Sequence, residues 1–193
     1  MVDVSTIQPD VMLISHGHGD HTADAVAIAK QSKCSVVAAY EVTEWMSAQG
    51  VENCFPMNTG GTLNLDFCKI KMVRAEHSSS FPDGSYAGDA VGFVVHNEES
   101  CFYYAGDTAL TLDMQLIPLE FKLDFAFLPI GDNFTMGVDD ACRSAKLLDC
   151  NEVVGMHFDT FPPIEIDHKQ AKKTFKDNDI HLTLPIINQT LEL

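Results

Sequence analysis

The amino-acid sequence predicts a mixed α/β fold. Strand-like and helix-like apolar patterns alternate along the chain, as in βα units. Paired strand patterns joined by short polar turns add antiparallel hairpins, which argues against a purely parallel sheet. Hydrophobic residues make up 46% of the chain and charged residues 21%, a balance that favours a packed core over disorder. A length of 193 residues suits a single domain spanning 1–193.

Residues 10–15 (DVMLIS) form an apolar run that reads as a buried strand. Residues 21–32 place Ala25, Val26, Ile28 and Ala29 at helical spacing. Residues 35–39 (SVVAA) read as a strand, and 41–49 as a helix ended by Gly50, a favoured residue just past a helix end. Alternation over 62–75, broken around Asp66 or Phe67, predicts a hairpin or two strands. Strand patterns at 91–96 and 101–105 flank the turn NEES and predict a second hairpin. A short helix (111–117), a strand (124–130), a helix (138–149) and a strand (152–156) follow. A helix (167–177) and two short strands (180–184 and 188–192) complete the reading. Low-complexity segments, repeats and linkers are absent from the sequence.

Between the first strand and the first helix the chain concentrates His16, His18, Asp20 and His21 in six positions. Imidazole and carboxylate are ligands of first-row transition metals. In an extended segment residues two apart point the same way, so His16 and His18 are placed to grip one ion together. Gly17 and Gly19 let the backbone turn around it. Asp20 and His21 fall where the helix begins and face a second point nearby. A His-rich surface turn is the plain alternative, but few chains tolerate this cluster without a metal. Three further residues of ligand type each come just after a predicted strand: His77 after 69–75, Asp107 after 101–105 and His157 after 152–156. His96, His168 and His181 lack that setting and read as surface or structural residues.

Composition narrows the function. The chain carries 12 Lys+Arg against 28 Asp+Glu, a net charge of −16, which repels polyanions and argues against nucleic acid and anionic membranes as partners. A small-molecule substrate remains, even an anionic one if metal ions supply local positive charge. No apolar run approaches the ~20 residues of a membrane helix, and MVDVSTIQPD lacks the pattern of a secretory leader. Cys34, Cys54, Cys68, Cys101, Cys142 and Cys150 form no CxxC pair, and read as free core thiols of a cytoplasmic protein.

The pattern HGHGDH, followed in order by His77, Asp107 and His157, resembles the metallo-β-lactamase superfamily of dinuclear hydrolases. Within it, SHGHGDH, HSSSFPDG, AGDT, LPIGDNFTMG and MHFDTFPPIE resemble the metal-dependent hydrolases related to L-ascorbate-6-phosphate lactonase. The resemblance runs from about residue 10 to the C-terminus. It implies a four-layer αββα sandwich with the site along one edge of two sheets. It implies that His16, His18 and His77 hold one metal, that Asp20, His21 and His157 hold the other, and that Asp107 bridges both. It implies two divalent ions, Zn or Mn first, with Fe or Ni as alternatives.

The implied activity is hydrolysis of a small-molecule ester, lactone or phosphodiester by a metal-bound hydroxide, with Asp20 and Asp107 as catalytic residues. An RNA-processing nuclease of the same superfamily and a catalytically weak metal-binding scaffold are the alternatives. Ser78, Ser79 and Ser80 lack a nucleophile elbow and read as turn hydroxyls, with Ser78 kept as a contact to a ligand or substrate. Asp132, Asn133 and Thr135 follow the strand 124–130 and match the same group, so they are expected to support the ligands or touch substrate. The resemblance also implies a chain shortened at its start, without the usual first strands. The expected result is an uncovered sheet edge and a homo-oligomer formed through it.

Overall fold

The computed structural model describes residues 2–188, 190 and 191. Three parallel strands, β1 (Val11–Ile14), β2 (Ser35–Ala39) and β3 (Cys54–Met57), form the first sheet in that order. Short helices α1 (Gly19–Thr22) and α2 (Ala25–Ser32) connect β1 to β2, and α3 (Tyr40–Ala48) connects β2 to β3. The second sheet holds β4 (Thr62–Asn64), β5 (Lys69–Arg74), β6 (Val91–His96), β7 (Cys101–Tyr104), β8 (Phe125–Pro129), β9 (Glu152–Met156) and β10 (His181–Thr183). They lie side by side in chain order. The β4 to β7 half is antiparallel, and the β7 to β10 half is parallel. A 3-10 helix (Leu112–Leu119), α4 (Val138–Leu147) and α5 (His168–Lys176) complete the regular structure.

Strand alternation sorts the side chains into layers. Val36 and Ala38 of β2 pack under α2 and α3 with Ala29, Val42 and Met46, while Val37 between them faces the other way. There it meets Ile70 and Met72 of β5 and Phe93 of β6, so this cluster is the seam between the sheets. The opposite face of the second sheet, with Val94, Tyr103, Ala126 and Leu128, is covered by Met114 and Ile117 of the 3-10 helix, Ala141 and Ala145 of α4, and Phe175 of α5. The order helices, sheet, sheet, helices is the αββα sandwich. Phe93 is fully buried in the seam, so Phe93→Ala costs about 3–5 kcal/mol. Helix α5 begins at Asp167, whose Oδ1 accepts from the Lys169 and Gln170 backbone N–H at 2.9 and 3.0 Å, an N-cap worth about 1 kcal/mol.

Several expectations shift. The periodic run 21–32 divides at Ala23-Asp24 into α1 and α2, because the chain turns around the histidine cluster before the longer helix starts. The short helix expected at 111–117 is a 3-10 helix that runs to Leu119 and contains Pro118, which supplies no N–H to an α-helical ladder. Strand β3 had no clear signal. It pairs only with β2 among the described residues, Phe55 and Pro56 are exposed, and a proline is tolerated on such an edge. Of the strand expected at 188–192, Asn188 is in a turn, 190 and 191 are irregular, and 189 and 192 lie outside the described residues. All six cysteines are free thiols. Among the described residues no helix is long and apolar enough to cross a membrane.

Strand direction gathers the loops. Strand β5 is antiparallel to β6, and β6 to β7, so β5 runs with β7, β8 and β9. All four therefore end at the same edge. The Val91 N–H at the start of β6 donates to the Ser15 carbonyl at the end of β1, 2.9 Å away, which joins the end of the first sheet to that edge.

Candidate metal centre

Seven potential donor side chains converge at this edge. His16, His18 and His77 form one group and Asp20, His21, Asp107 and His157 another, with the donor atoms of each group within 4.8 Å of one another. His16 Nε2 lies 3.0 Å from His18 Nδ1. Asp107 is the common point: its Oδ2 is 3.8 Å from His16 Nε2, 3.7 Å from His77, 3.4 Å from His21 and 3.3 Å from His157. Asp20 Oδ2 lies 3.5 Å from His21 Nε2 and 3.7 Å from His157 Nε2.

The local backbone explains the convergence. His18 adopts an extended conformation at the start of α1, and the first turn of α1 then sets Asp20 and His21 beside it. Gly106 takes φ +63°, and a Cβ there would come within 2.7 Å of the Val91 carbonyl oxygen and 2.8 Å of Ser15 Cβ. Only glycine permits the turn that swings Asp107 back over β1. His157 itself has φ 55°, a left-handed conformation that costs a non-glycine residue about 1–3 kcal/mol. Thr108, fully buried, accepts from the Glu76 N–H at 3.0 Å and donates to the Ala109 carbonyl at 2.8 Å. That ties the His77 loop to the Asp107 loop.

The electrostatics suit a cation. Burial pushes the His16 imidazole pKa down to about 3, with the neighbouring His21 adding to it against the pull of Asp107. Burial also lowers that of His77. Burial opposes a charge on His21 as well, but the adjacent carboxylates of Asp107 and Asp20 outweigh it and raise its pKa. Burial works against an ionised Asp107, yet His21, His157 and His16 hold its carboxyl below the usual range. His16 and His77 are thus neutral lone-pair donors, arranged around an ionised carboxylate.

Spacing tests whether a metal fits. Donors bonded at about 2.0–2.1 Å to one tetrahedral ion sit about 3.4 Å apart. The contacts of Asp107 Oδ2, at 3.3–3.8 Å, are near that spacing and longer than ordinary hydrogen bonds. An all-nitrogen and oxygen donor set accepts Zn, Mn, Fe or Ni.

The groups behind the donors are partly unexpected. Ser15, buried, places its Oγ 3.0 Å from His16 Nδ1 and 3.4 Å from His21 Nδ1. One hydroxyl thus touches an imidazole from each group. Ser15 and Thr108 lie inside the motifs SHGHGDH and AGDT, but the sequence reading gave neither a role. Ser78 Oγ lies 3.4 Å from His18 Nε2, the nitrogen turned away from His16. Ser79 is committed elsewhere, accepting from the Gly17 N–H at 3.3 Å and donating to the Ala87 carbonyl at 3.2 Å. His157 Nδ1 is buried with no hydrogen-bond partner among the described residues.

Asp132 and Thr135 bond within their own loop, and Asn133 is exposed. Asp132 Oδ1 accepts from the Asn133 N–H at 2.8 Å, and Thr135 Oγ1 donates to the Met136 carbonyl at 3.3 Å. Asp132 packs on Gly137 and lines a groove with Asp139, Arg143 and Asp167 beside α4 and α5. Among the described residues none of these three side chains hydrogen-bonds to the seven donors. His168 pairs with Asp159 and His181 with Glu152, both exposed, while His96 packs on Phe121.

Comparison with known proteins agrees with this geometry. Residues 4–158 match the family model described as a beta-lactamase superfamily domain. A UPF0173 metal-dependent hydrolase of Methylacidiphilum infernorum is 51% identical over 190 residues, covering 98% of this chain and 84% of that protein. One from Christiangramia forsetii is 47% identical over 192 residues, covering 100% and 84%. Among solved structures, Igni18, described as a novel metallo hydrolase from the archaeon Ignicoccus hospitalis, superposes with a TM-score of 0.86 at 30% identity. That match covers 96% of this chain and 80% of Igni18. The chain therefore belongs to the beta-lactamase superfamily and, within it, to the UPF0173 metal-dependent hydrolases.

Proposed function

We propose that this chain is a dinuclear metal-dependent hydrolase acting on a small-molecule ester, lactone or phosphodiester. The observation that carries the reading is the position of Asp107 Oδ2, within 3.8 Å of imidazole nitrogens from both donor groups. His16, His18 and His77 would hold one ion, Asp20, His21 and His157 the other, and Asp107 would be shared. Two such ions lower the pKa of a water and polarise the oxygen of the bond to be cleaved.

The chain's own groups supply the rest. Asp107 is buried and enclosed by imidazoles, so its charge is spent on assembling the site. The side chain of Asp20 is 63% exposed, which leaves it a free face toward solvent. That exposure suits it to accept a proton from the attacking water and return it to the leaving group. Ser15 holds His16 and His21 with their Nε2 atoms toward the site. The Ser79 hydroxyl bonds to Gly17 and Ala87, which speaks against its use as a nucleophile. The net charge of −16 favours a small substrate over RNA.

The test is metal analysis of the purified protein together with a screen of esters, lactones and phosphodiesters. Two ions per chain and turnover that a chelator abolishes are expected. A single ion per chain at saturation would remove the dinuclear reading.

A further inference from the structure

Two large aromatic side chains stand exposed on neighbouring loops, one that carries the donor His157 and one fastened beside it. Phe134, in the loop after β8, is 52% exposed, and Phe161, in the loop after β9, is 42% exposed. Their ring centroids are 5.9 Å apart with the planes tilted by 40°. Both loops are fastened beside the donors. The Met136 N–H donates to the carbonyl of Thr108, the residue after Asp107, at 3.0 Å. The backbone at Gly131 touches the His157 loop, since a Cβ there would sit 2.1 Å from the His157 carbonyl oxygen and 3.0 Å from Ile164 Cβ. Phe134 is three residues from that contact and Phe161 four residues from His157. At about 3.3–3.6 Å per residue, Phe161 lies within roughly 14 Å of the His157 backbone and Phe134 within roughly 11 Å of the Gly131 backbone.

The loops hold these rings at a cost. Asp132 and Asn133 take consecutive left-handed conformations, φ 62° and 56°, and Asp159 takes φ 59°. Beyond Phe161 the chain is stiffened by Pro162 and Pro163, and buried Ile164 anchors it. Asp132 and Thr135 of the first loop bond to their neighbours. Phe134 is the large apolar side chain that this loop exposes, next to exposed Asp132 and Asn133. Strained, well-fastened loops that expose a contacting aromatic pair beside a reaction centre fit a recognition surface better than a stability device.

We propose that Phe134 and Phe161 form an aromatic clamp at the rim of the metal centre, selecting substrates with a flat apolar group next to the bond that is cleaved. The clamp rests on the hydrolase reading for its purpose but not for its measurement. The test is calorimetric binding of phenylphosphonate and methylphosphonate to the metal-loaded protein and to Phe134→Ala, Phe161→Ala and the double variant, each checked for metal content. The two probes share the anionic group and differ in the ring. The full protein is expected to prefer phenylphosphonate by about tenfold or more, and the preference to collapse to within about threefold in the double variant. Phe67→Ala, at the exposed tip of the β4–β5 turn, should keep the preference. Phe134→Leu should retain part of it, because an apolar surface remains without the ring.

Equal affinity for the two probes, no binding of either, or a preference that survives the double substitution overturns the clamp. Loss of self-association in the double variant alongside equal affinities would assign the pair to a protein contact instead. Turnover of benzoate and acetate esters is scored separately. Preference for phenylphosphonate without turnover of any ester, lactone or phosphodiester keeps the clamp and removes the hydrolase reading, and turnover without preference does the reverse.

Discussion

Replacing Ser15 with alanine removes one oxygen and leaves all seven donor side chains in place. The lost contacts are those from Oγ to His16 Nδ1 at 3.0 Å and to His21 Nδ1 at 3.4 Å. With Nε2 of each ring directed at a metal, each Nδ1 carries the proton, and the two lone pairs of the serine hydroxyl can receive both. His16 is fully buried, so its N–H gains no water in exchange. A buried donor left without a partner costs about 1–3 kcal/mol. Outer groups that orient metal ligands are worth about 10–100-fold in affinity, or about 1.4–2.7 kcal/mol, and the two figures agree. Competition against a chelator of known zinc affinity should show a 10–100-fold loss in Ser15→Ala, larger at the His16 group because that contact is shorter. The metal-free variant should also melt lower, by about 2–4 °C for each kcal/mol lost in a chain of this size. A metal affinity within threefold of the parent would refute the argument, because the hydroxyl would then be dispensable for holding either ring.

Asp107→Ala should weaken metal binding at both groups, whereas His77→Ala should empty mainly the group of His16 and His18; metal content measured by mass spectrometry distinguishes them. Full metal content in Asp107→Ala would sink the shared-ligand assignment. Hydrolysis should vanish with a chelator, return with added Zn or Mn, and survive Ser79→Ala within about tenfold; abolished turnover with metal still bound would implicate that hydroxyl in the chemistry. Strand β1 pairs only with β2 among the described residues, and Val11, Met12 and Leu13 are half-buried, so self-association through this edge is expected. Light scattering over a concentration series tests this, and a monomer mass throughout would contradict it.

Much of the fold was legible because strands and helices advertise their periods locally. Strands β1, β2, β5, β6, β7, β8 and β9 lie within the expected segments, as do helices α2, α4 and α5. The misses have local causes. Strand β3 hid behind Pro56 and exposed Phe55, and the 3-10 helix read as an ordinary short helix because its apolar residues are closely spaced. The candidate donors were legible for a different reason. Four of them are crowded into one junction, and the others follow strands that could be read.

Residue type and spacing alone were enough to nominate His16, His18, Asp20 and His21, since their geometry is set within one strand-to-helix turn. Sequence placed His77, Asp107 and His157 after strands but could not bring them together. That depends on β5, β7 and β9 running in one direction, which only sheet pairing decides. Nor could sequence tell which hydroxyls stand behind the imidazoles. Serines next to histidines are common, and Ser15 differs only because the fold closes His21 back onto the same oxygen as His16. The same holds for the loop after β8. Its polar residues were the ones the sequence singled out, and the fold adds that left-handed turns at Asp132 and Asn133 are followed by an exposed Phe134. Where each side chain points there follows from backbone dihedrals and long-range packing, and neither is encoded in residue type at a single position.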